Sequence, residues 1–566
     1  MEFTKSLKSR IVPALFVIFL IIGVFIRIWK LDKVPIELFG DELDVGLQAY
    51  SVLTTGKDYL GNKLPILFHS FSEYRLPMQL YLDVPFIKLF GLNEIGVRSV
   101  SVLMGFLSLV LFYFLVKELF SGKLAIIATL FLMISPWHIN FSRQANDAGI
   151  LLPFIIGGTL FFIKGLKNYR YLYLSAIFFS LSVYAYAIAT LFTPLFVIAL
   201  MVIFRKEIIK YSYHKLFFVG LVGIIILIPY LNFTLKGLTR ERFSYISAIS
   251  EDRLISEVVD KRRWSQSLQT RFFYNKKTVA IEIVMKNYLR AISPTFLFSE
   301  GDPNMRQGIE GFGQMYHYEI VLVFLGIVFA LTKLSKNEQK KNYLLAILFW
   351  LLFAPIPSAL TRDGGYHSSR LILTLPPLII ISAMGFKVLI NTMWNKKGRI
   401  LLVIFIGVML LDISRFLHRY FVIWPNESWR FWQSGYKTTL SYVKQVDGDY
   451  EKILFNNTYE PMLPRFLFYY NYDMGLFQKQ FQGDKHIENI VKGIDGFSLG
   501  NKYYFGELKK PLEDLADERS LVVASGANDV TNPLIFKEGN LKLLNVVNSP
   551  TKIPIFYIFT SNFTSN

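Results

Sequence analysis

The stretch IVPALFVIFLIIGVFI, residues 11–26, carries no charged side chain, and the sequence FGDELD follows at residues 39–44. Extended to residue 29, this apolar run is long enough to cross a bilayer. Carboxylates held at the rim of a bilayer are costly unless they are solvated or used, so they mark a candidate site. Asp41 and Glu42 are therefore the first functional candidates.

The composition is that of a membrane protein. The chain has 566 residues, of which 53% are hydrophobic, and its mean hydropathy is +0.38; soluble domains are usually less apolar. A net charge of +19 could indicate a nucleic-acid partner, but the Lys and Arg residues cluster in short loops between apolar runs, so we expect none. The absence of cysteine excludes disulfides and thiolate metal sites.

The first apolar run has two interpretations. Together with residues 1–10 it resembles a secretory signal peptide. It is long for that role, however, and no pattern of small residues typical of a cleavage site precedes Arg27. This favours a retained signal anchor.

Apolar runs of about twenty residues predict roughly eleven transmembrane helices. The fifth and sixth are joined almost without a loop. The predicted spans are 11–29, 97–116, 124–142, 148–166, 171–188, 189–204, 215–235, 318–335, 342–360, 370–390 and 399–420.

The distribution of Lys and Arg predicts the orientation, because cytoplasmic loops are enriched in both. With a cytoplasmic N-terminus, the inside loops carry clusters such as Lys164, Lys167 and Arg170, whereas the short outside loops hold only Arg143, Arg362 and Arg370. An odd number of spans then places the C-terminal region outside. We therefore expect a multi-pass cell-membrane protein.

Three non-membrane pieces share the predicted outer face: loops 31–96 and 236–316, and the tail 421–566. In the first loop, residues 41–55 have a helical pattern with Gly56 as a stop, and residues 76–90 are apolar but interrupted by proline. Both are typical of helices lying along the membrane surface. The tail alternates polar and helical stretches with short β-like runs, at 452–455, 520–524, 541–547 and 553–559. We predict domains 1–420 and 421–566, the latter a small α/β domain.

Several motifs occur in an order that resembles one enzyme superfamily. After the acid pair, the matching motifs are Tyr74-Arg75-Leu76-Pro77, Val97-Arg98-Ser99, Ser135-Pro136-Trp137-His138, Phe141-Ser142-Arg143 with Asp147, Ser293-Pro294, Glu300 to Asn304 with Arg306, Gly311 to Gln314, Thr361 to Gly364 with His367 and Arg370, and Leu375-Pro376-Pro377. The chain resembles the membrane glycosyltransferases of the GT-C fold, in particular the protein O-mannosyltransferase and aminoarabinose transferase (PMT-like) superfamily and its bacterial branch.

The resemblance implies a polytopic α-helical GT-C enzyme that moves a sugar from a polyprenyl-phosphate donor to an acceptor outside the cytoplasm. Two features depart from the family. Arg75 stands where aminoarabinose transferases use Lys, and the chain lacks both the His-rich loop of eukaryotic mannosyltransferases and the Trp-Trp-Asp motif of Asn-linked oligosaccharide transferases. The acceptor, protein or envelope glycan or lipid, and the sugar therefore remain open.

Displacing a lipid phosphate from an anomeric carbon needs a base for the acceptor proton. Asp41 is the predicted base because it matches the first acid of the family, with Glu42 beside it and Asp147 as a second acid. The alternative for all three is a structural one, as a helix N-cap or first-turn charge. Asp44, one turn after Asp41, is expected to be a solvated or cation-paired residue.

The leaving phosphate needs cations, and Arg suits bidentate contacts. The predicted donor-phosphate ligands are Arg75, Arg98, His367 and Arg370. For Arg98 and Arg370 the alternative is snorkelling to lipid headgroups. Weaker candidates for substrate contact are Tyr74, Arg143, Arg306, Glu310 and Tyr316. Arg143 is also expected to pair with Asp147 across one helical turn.

Other interpretations are kept beside the enzymatic one. Two acids facing a phosphate could hold Mg²⁺ or Ca²⁺, but a metal-free route through Arg is equally sensible, and we expect no metal. A transporter or lipid flippase is the alternative function; such proteins place charges at the bilayer midplane within repeats, whereas here the charges gather at one rim. A third possibility is a sensor or assembly protein whose outer tail binds a partner.

Overall fold

A computed structural model describes residues 16–70, 74–237, 246–265, 267–333, 338–394, 396–456, 461–481, 487–491, 494–508, 519–526, 529–530 and 541–561. The predicted N-terminal charges at residues 5–10 lie outside this part of the chain. The described residues form two compact units. The first unit draws on Met1–Trp29, Ser72–Gln79 and Val100–Phe421, and the second on Lys30–Phe71, Leu80–Ser99 and Val422–Asn566.

Most of the described chain is helical. The helices are α1 Phe16–Ile28, α2 Gly40–Thr55, α3 Pro77–Phe90, α4 Glu94–Leu119, α5 Gly122–Ile134, α6 Pro136–Phe141, α7 Asp147–Gly165, α8 Arg170–Ala185, α9 Ala189–Ile203, α10 Arg205–Ile208, α11 Tyr213–Leu235, α12 Glu251–Arg262, α13 Leu268–Phe273, α14 Lys276–Ala291, α15 Glu319–Lys333, α16 Glu338–Phe353, α17 Ile356–Ala359, α18 Leu375–Met393, α19 Lys396–His418, α20 Trp424–Glu427, α21 Tyr436–Val446, α22 Met462–Tyr470 and α23 Met474–Gln480. The strands are β1 Phe68–His69, β2 Tyr74–Arg75, β3 Lys452–Asn456, β4 Ile487–Val491, β5 Ile494–Leu499, β6 Tyr503–Leu508, β7 Ser520–Ser525, β8 Leu541–Asn548 and β9 Pro554–Ser561.

Each predicted span contains a helix. Within the described residues, six helical stretches are long and apolar enough to cross a membrane: Glu94–Leu119, Asp147–Gly165, Tyr213–Leu235, Glu338–Ala359, Ile372–Met393 and Gly398–Glu427. Four shorter helices are also apolar, namely Phe16–Ile28, Gly122–Ile134, Ala189–Ile203 and Glu319–Thr332. A multi-pass membrane protein is therefore confirmed, while the number eleven stays a prediction.

The predicted span 124–142 is not one helix, and this part of the prediction is wrong. It breaks at Ser135, whose hydroxyl accepts a hydrogen bond from the backbone N–H of His138 and so caps α6. Pro136 occupies the first position of α6, where its missing N–H costs nothing. The Ser-Pro pair thus ends α5 and starts α6.

Helices of the first unit approach one another closely through small residues. Helix α15 packs on α18 at Gly326 and Gly385. A methyl group on Gly326 would overlap the carbonyl oxygen of Ile381, and one on Gly385 would overlap that of Leu322. Small residues of this kind let two membrane helices bring their backbones into contact.

The second unit contains a seven-stranded mixed sheet with the order β4-β5-β6-β3-β7-β9-β8. Strand β3 is parallel to β6 and β7, and the outer pairs are antiparallel. Strands β3, β7 and β9 form its buried centre; all six residues of Ser520–Ser525 are buried. The β-like runs predicted at 452–455, 520–524, 541–547 and 553–559 are confirmed as strands.

Both helices predicted in the first outer loop are present. Helix α2 ends at Gly56, whose φ of 70° is the left-handed conformation that terminates helices. Helix α3 continues through Pro85, so that proline does not break it. The second unit includes residues 30–71 and 80–99, which the prediction had assigned to module 1–420. The division into domains 1–420 and 421–566 stays a prediction.

A carboxylate far away in sequence caps helix α21. Glu37 is only 4% exposed, and its two carboxylate oxygens accept hydrogen bonds from the backbone N–H groups of Gly435 and Lys437. These N–H groups have no partner within the helix, and its N-terminus favours an anion. Burial nevertheless outweighs the effect of these hydrogen bonds and raises the pKa of Glu37 to about 7.

This raised pKa predicts a pH-dependent stability. The folded state holds the Glu37 proton more tightly than the unfolded state, so stability falls as the pH rises from the ordinary pKa of 4.5 to about 7. The loss should be roughly 3 kcal/mol at most. Thermal unfolding in detergent at pH 5 and pH 8 should show a smaller loss for Glu37→Gln than for wild type. Glu451→Gln, at an exposed pair, serves as the control; equal pH dependence in all three proteins would contradict the assignment.

The orientation can be tested because the chain contains no cysteine. Lys123 and Lys542 are both exposed, in α5 and β8 respectively. The positive-inside rule places the first inside and the second outside. A membrane-impermeant thiol reagent should label Lys542→Cys in intact cells and label Lys123→Cys only after permeabilisation. Labelling in the reverse order would overturn the predicted topology.

Candidate active site

The two neighbouring acids at the start of α2 have different environments. Helix α2 begins at Gly40, and its N-cap is Phe39, so neither acid is the N-cap residue. Glu42 is buried, and its Oε2 accepts a hydrogen bond from the backbone N–H of Phe39 at 3.3 Å, as in a capping box. Asp41 is only partly buried. The helix-capping role, which was the structural alternative for these acids, therefore applies to Glu42. Asp41 is the acid that remains accessible.

A buried ion pair holds Glu42. The Nε and Nη2 of Arg98 donate to its two oxygens at 3.1 and 2.9 Å, and both side chains are at most 4% exposed. The other donors of Arg98 reach the backbone carbonyl oxygens of Leu31, Pro35 and Glu37 at 2.8–3.0 Å. All five N–H donors of this guanidinium are thus used. This geometry argues against the predicted role of Arg98 as a phosphate ligand and against snorkelling.

Two further acids lie inside the second unit. Asp44 was expected to be solvated or cation-paired; it is not solvated, because it is 5% exposed and accepts a hydrogen bond from the Tyr59 hydroxyl at 2.8 Å, and its pairing with a cation stays a prediction. Asp83 on α3 is fully buried, and neither of its oxygens has a hydrogen-bond partner among the residues that the structure describes. Burial, with the nearby charge of Glu42, raises the pKa of Asp83 well above its ordinary value. Its neutral form is therefore favoured.

In the first unit, Asp147 is the first residue of α7 and is partly exposed. The cap of α7 is its neighbour Asn146, whose side chain accepts a hydrogen bond from the Ala148 N–H. Asn146 therefore fills the capping role that was the structural alternative for Asp147. The predicted pairing of Asp147 with Arg143 stays a prediction.

Arg143, a weak candidate for substrate contact, has structural contacts instead. It is fully buried, and its Nη1 donates to the carbonyl oxygens of Ile26 and Arg27 at 2.7 and 2.9 Å. Its guanidinium also lies 4.8 Å from the ring centre of Phe421. Arginine commonly satisfies the last carbonyls of a helix in this way, so Arg143 holds the C-terminal end of α1.

Two loops of the first unit meet around Asp302, which the motifs contained but the site prediction omitted. Its Oδ2 accepts hydrogen bonds from the backbone N–H and the hydroxyl of Ser368, both at 2.8 Å. His367 bonds through Nδ1 to the Ser369 hydroxyl at 2.9 Å. These contacts fix loop 361–370 against loop 302–307.

His367 and Arg370, two basic residues of loop 361–370, differ in charge. Burial and the neighbouring charges of Arg370 and Arg306 lower the pKa of His367 well below its usual range, so this imidazole is neutral at pH 7. Arg370 donates one hydrogen bond to the Thr361 hydroxyl at 2.8 Å. Of the two, Arg370 is the better candidate for a phosphate.

The same loops border a cavity of about 430 Å³ in the first unit. Charged and amide side chains dominate its lining, which is Arg253, Glu257, Lys261, Glu282, Ile283, Lys286, Asn287, Arg290, Asp302, Pro303, Asn304, Gln307, Arg362, Asp363, Gly365, Tyr366 and His367. Of the predicted site residues, only His367 belongs to this lining. Residues 276–291 carry charges at helical spacing, a pattern that ordinarily indicates a solvated helix face.

Helix α14 separates this cavity from an apolar groove. One face of α14, including Glu282, Lys286 and Arg290, lines the cavity. The other face lines a groove formed by Ile249, Ala280, Ile281, Val284, Met285 and Tyr288. Each set recurs at i, i+4 and i+8, as expected for opposite faces of one amphipathic helix.

The remaining weak candidates have mixed outcomes. Glu310 is exposed and forms an ion pair with Arg419 at 3.1 Å. Tyr316 is buried, and its hydroxyl donates to the carbonyl oxygen of Ile134, which is a structural contact. Tyr74 and Arg75 form strand β2 and are partly exposed. Their proposed contacts with substrate stay predictions.

The predicted site residues are distributed over both units. The structure brings Glu42 and Arg98 together within the second unit, which also contains Asp41. Within the first unit it places His367 beside Arg370 and Arg306. The remaining candidates of the first unit are Tyr74, Arg75, Arg143, Asp147, Glu310 and Tyr316. Across the described residues, no three His, Asp or Glu side chains form a possible metal site; independence from metal stays a prediction.

The ion pair predicts a large loss of stability when one partner is removed. Arg98→Gln leaves the Glu42 carboxylate and three carbonyl groups buried without their partner, which costs about 3–5 kcal/mol. Arg519→Gln removes an exposed pair with Glu451 and should cost at most about 1 kcal/mol. Denaturant unfolding in detergent measures both. Equal stability of the two variants would contradict the structural role of Arg98.

The chain is similar to one protein family and to several solved structures. The family model for dolichyl-phosphate-mannose-protein mannosyltransferases matches residues 75–233. ArnT from Cupriavidus metallidurans bound to undecaprenyl phosphate is 12% identical, with a TM-score of 0.54, and the match covers 97% of this chain and 98% of that one. The apo form of ArnT gives 13% identity, a TM-score of 0.52 and the same coverage. No protein of curated function matches the sequence.

The archaeal oligosaccharyltransferase AglB from Archaeoglobus fulgidus has a TM-score of 0.44 at 10% identity and covers 79% of this chain and 62% of that one, which is too low to support an inference. The match to ArnT spans nearly the whole chain and shows the fold. The predicted GT-C fold and the resemblance to PMT- and ArnT-like glycosyltransferases are thereby confirmed. The roles of individual residues are not.

Proposed function

We propose that this chain, a membrane glycosyltransferase of the GT-C fold, transfers a sugar from a polyprenyl-phosphate donor to an acceptor hydroxyl outside the cytoplasm. One observation carries the proposal. The family model for dolichyl-phosphate-mannose-protein mannosyltransferases and the fold match to ArnT bound to undecaprenyl phosphate point independently to a polyprenyl phosphate.

The structure supports an amphiphilic donor on physical grounds. Such a donor has an apolar isoprenoid tail and a charged sugar-phosphate head. The first unit offers an apolar groove of about 430 Å³ on one face of α14, where Ile281 and Met285 are more than half exposed. Exposed apolar surface of this kind favours a lipid over a water-soluble sugar nucleotide.

Asp41 is the proposed general base. It would accept the proton of the acceptor hydroxyl while the new bond forms from that oxygen to the anomeric carbon. The bond from the anomeric carbon to the phosphate oxygen breaks, and the polyprenyl phosphate leaves with the electron pair. A direct displacement of this kind inverts the anomeric centre. Glu42 does not compete for this role, because its oxygens are bonded to Arg98 and to Phe39.

The leaving phosphate requires cations that strengthen their contacts as its charge grows. Arg75 and Arg370 are the proposed ligands, with neutral His367 as a hydrogen-bond donor through Nε2. Asp147 is proposed to orient the acceptor. Arg98 acts indirectly, because it holds Glu42 and so fixes the first turn of α2, where Asp41 lies.

Asp41→Asn tests the base. The amide is close in shape but accepts no proton, so transfer should fall by about 10²- to 10⁴-fold. The measurement is transfer from a short-chain polyprenyl-phosphate sugar by purified protein, in a screen of donor sugars. Asp32→Asn, at a nearby exposed acid, is the matched control and should retain wild-type activity.

Two outcomes would contradict the proposal in different ways. Retained transfer by Asp41→Asn at normal protein levels would exclude Asp41 as the base. No transfer from any donor, together with movement of a lipid or solute across reconstituted vesicles, would instead favour the transporter or flippase alternative.

A further inference from the structure

The cavity of the first unit is built for a hydrophilic ligand. Its volume of about 430 Å³ falls in the range of small-molecule sites, roughly 300–1,000 Å³. Such sites are usually lined mainly by apolar side chains, but here charged and amide groups dominate. An isoprenoid tail would find little apolar surface in it, whereas a sugar would find many hydrogen-bond partners.

The acids of the cavity are largely engaged by the protein itself. Lys261 donates to Glu282 at 2.7 Å, and Glu257 lies close enough to act on the same ammonium group. Asp302 accepts hydrogen bonds from Ser368 and from the backbone of Asn304. Glu282 and Asp302 are therefore hydrogen-bonded within the protein, whereas Asp363, the fourth acid of the lining, is exposed.

The cations on the facing helices are less engaged. Within the described residues, Arg253 on α12 and Lys286 on α14 form no ion pair. The guanidinium of Arg290, one turn after Lys286, lies 5.4 Å from the ring centre of Tyr366. Arg253, Lys286 and Arg290 thus form a basic wall of the cavity.

We propose that this cavity binds the acceptor, and that the acceptor is a glycan carrying an acidic sugar whose carboxylate or phosphate contacts the basic wall of Arg253, Lys286 and Arg290. The inference rests on the proposed function. A glycan fits better than a protein, because an extended peptide needs a long groove, whereas this space is a cavity. Charge-assisted contacts of arginine and lysine with an acid group supply the selectivity.

The experiment uses the full-length protein in detergent and separates binding from catalysis. Binding of trigalacturonic acid, maltotriose and an acidic hexapeptide is compared by calorimetry. Donor hydrolysis in the absence of any acceptor is measured alongside. The variant is Arg253→Gln with Lys286→Gln, and the control is Lys277→Gln, an exposed position of α14 outside the cavity lining.

We expect wild type and the control to bind the acidic trisaccharide at least tenfold more tightly than the neutral one. The double variant should lose that preference and keep its donor hydrolysis. Equal binding of both sugars would overturn the inference, as would preference for the peptide. Parallel loss of hydrolysis would assign the cavity to the donor instead. If wild type hydrolyses no donor, the proposed function fails, and the binding comparison still decides the ligand class of the cavity.

Discussion

The buried ion pair between Glu42 and Arg98 is the interaction on which the candidate site of the second unit depends. The guanidinium of Arg98 donates hydrogen bonds to Glu42 in the first turn of α2 and to three carbonyl groups of the segment 31–37. Burying two charges costs free energy, and this cost is offset only when every donor and acceptor has a hydrogen-bond partner. Here the five donors of Arg98 are matched, so the beginning of α2 is held in one conformation.

A rigid first turn explains how two adjacent acids acquire different properties. Neighbouring residues on a helix point about 100° apart, so when Glu42 is directed into the ion pair, Asp41 must point elsewhere. Glu42 is buried and capped by the protein, whereas Asp41 remains partly accessible. Glu42 thus has a structural role, whereas Asp41 is the candidate base. A general base must be held in a fixed position to accept a proton from the substrate.

The sequence predicted the elements better than the contacts. Hydropathy located the membrane helices and alternation located four strands, because both depend on periodic patterns that survive without tertiary knowledge. Strands β4, β5 and β6, between residues 487 and 508, were missed because that stretch mixes charged and glycine residues without clear alternation. The break at Ser135 was missed because an apolar run conceals a cap.

The candidate residues show why side-chain contacts could not be predicted from the sequence. A single Arg at the head of a span has the same sequence signature whether it binds a phosphate, snorkels to lipid or satisfies buried carbonyls. Arg98 and Arg143 satisfy buried carbonyls, and only the positions of distant acceptors reveal this.

The basic wall on α12 and α14 was not predicted, because charges at helical spacing ordinarily indicate a solvated face. Helix α14 departs from that rule because both of its faces are used: its polar face borders a cavity and its apolar face an open groove. The proposed transfer of a sugar from a lipid to a glycan would use surfaces of both kinds, and one amphipathic helix presents them within a width of about 10 Å.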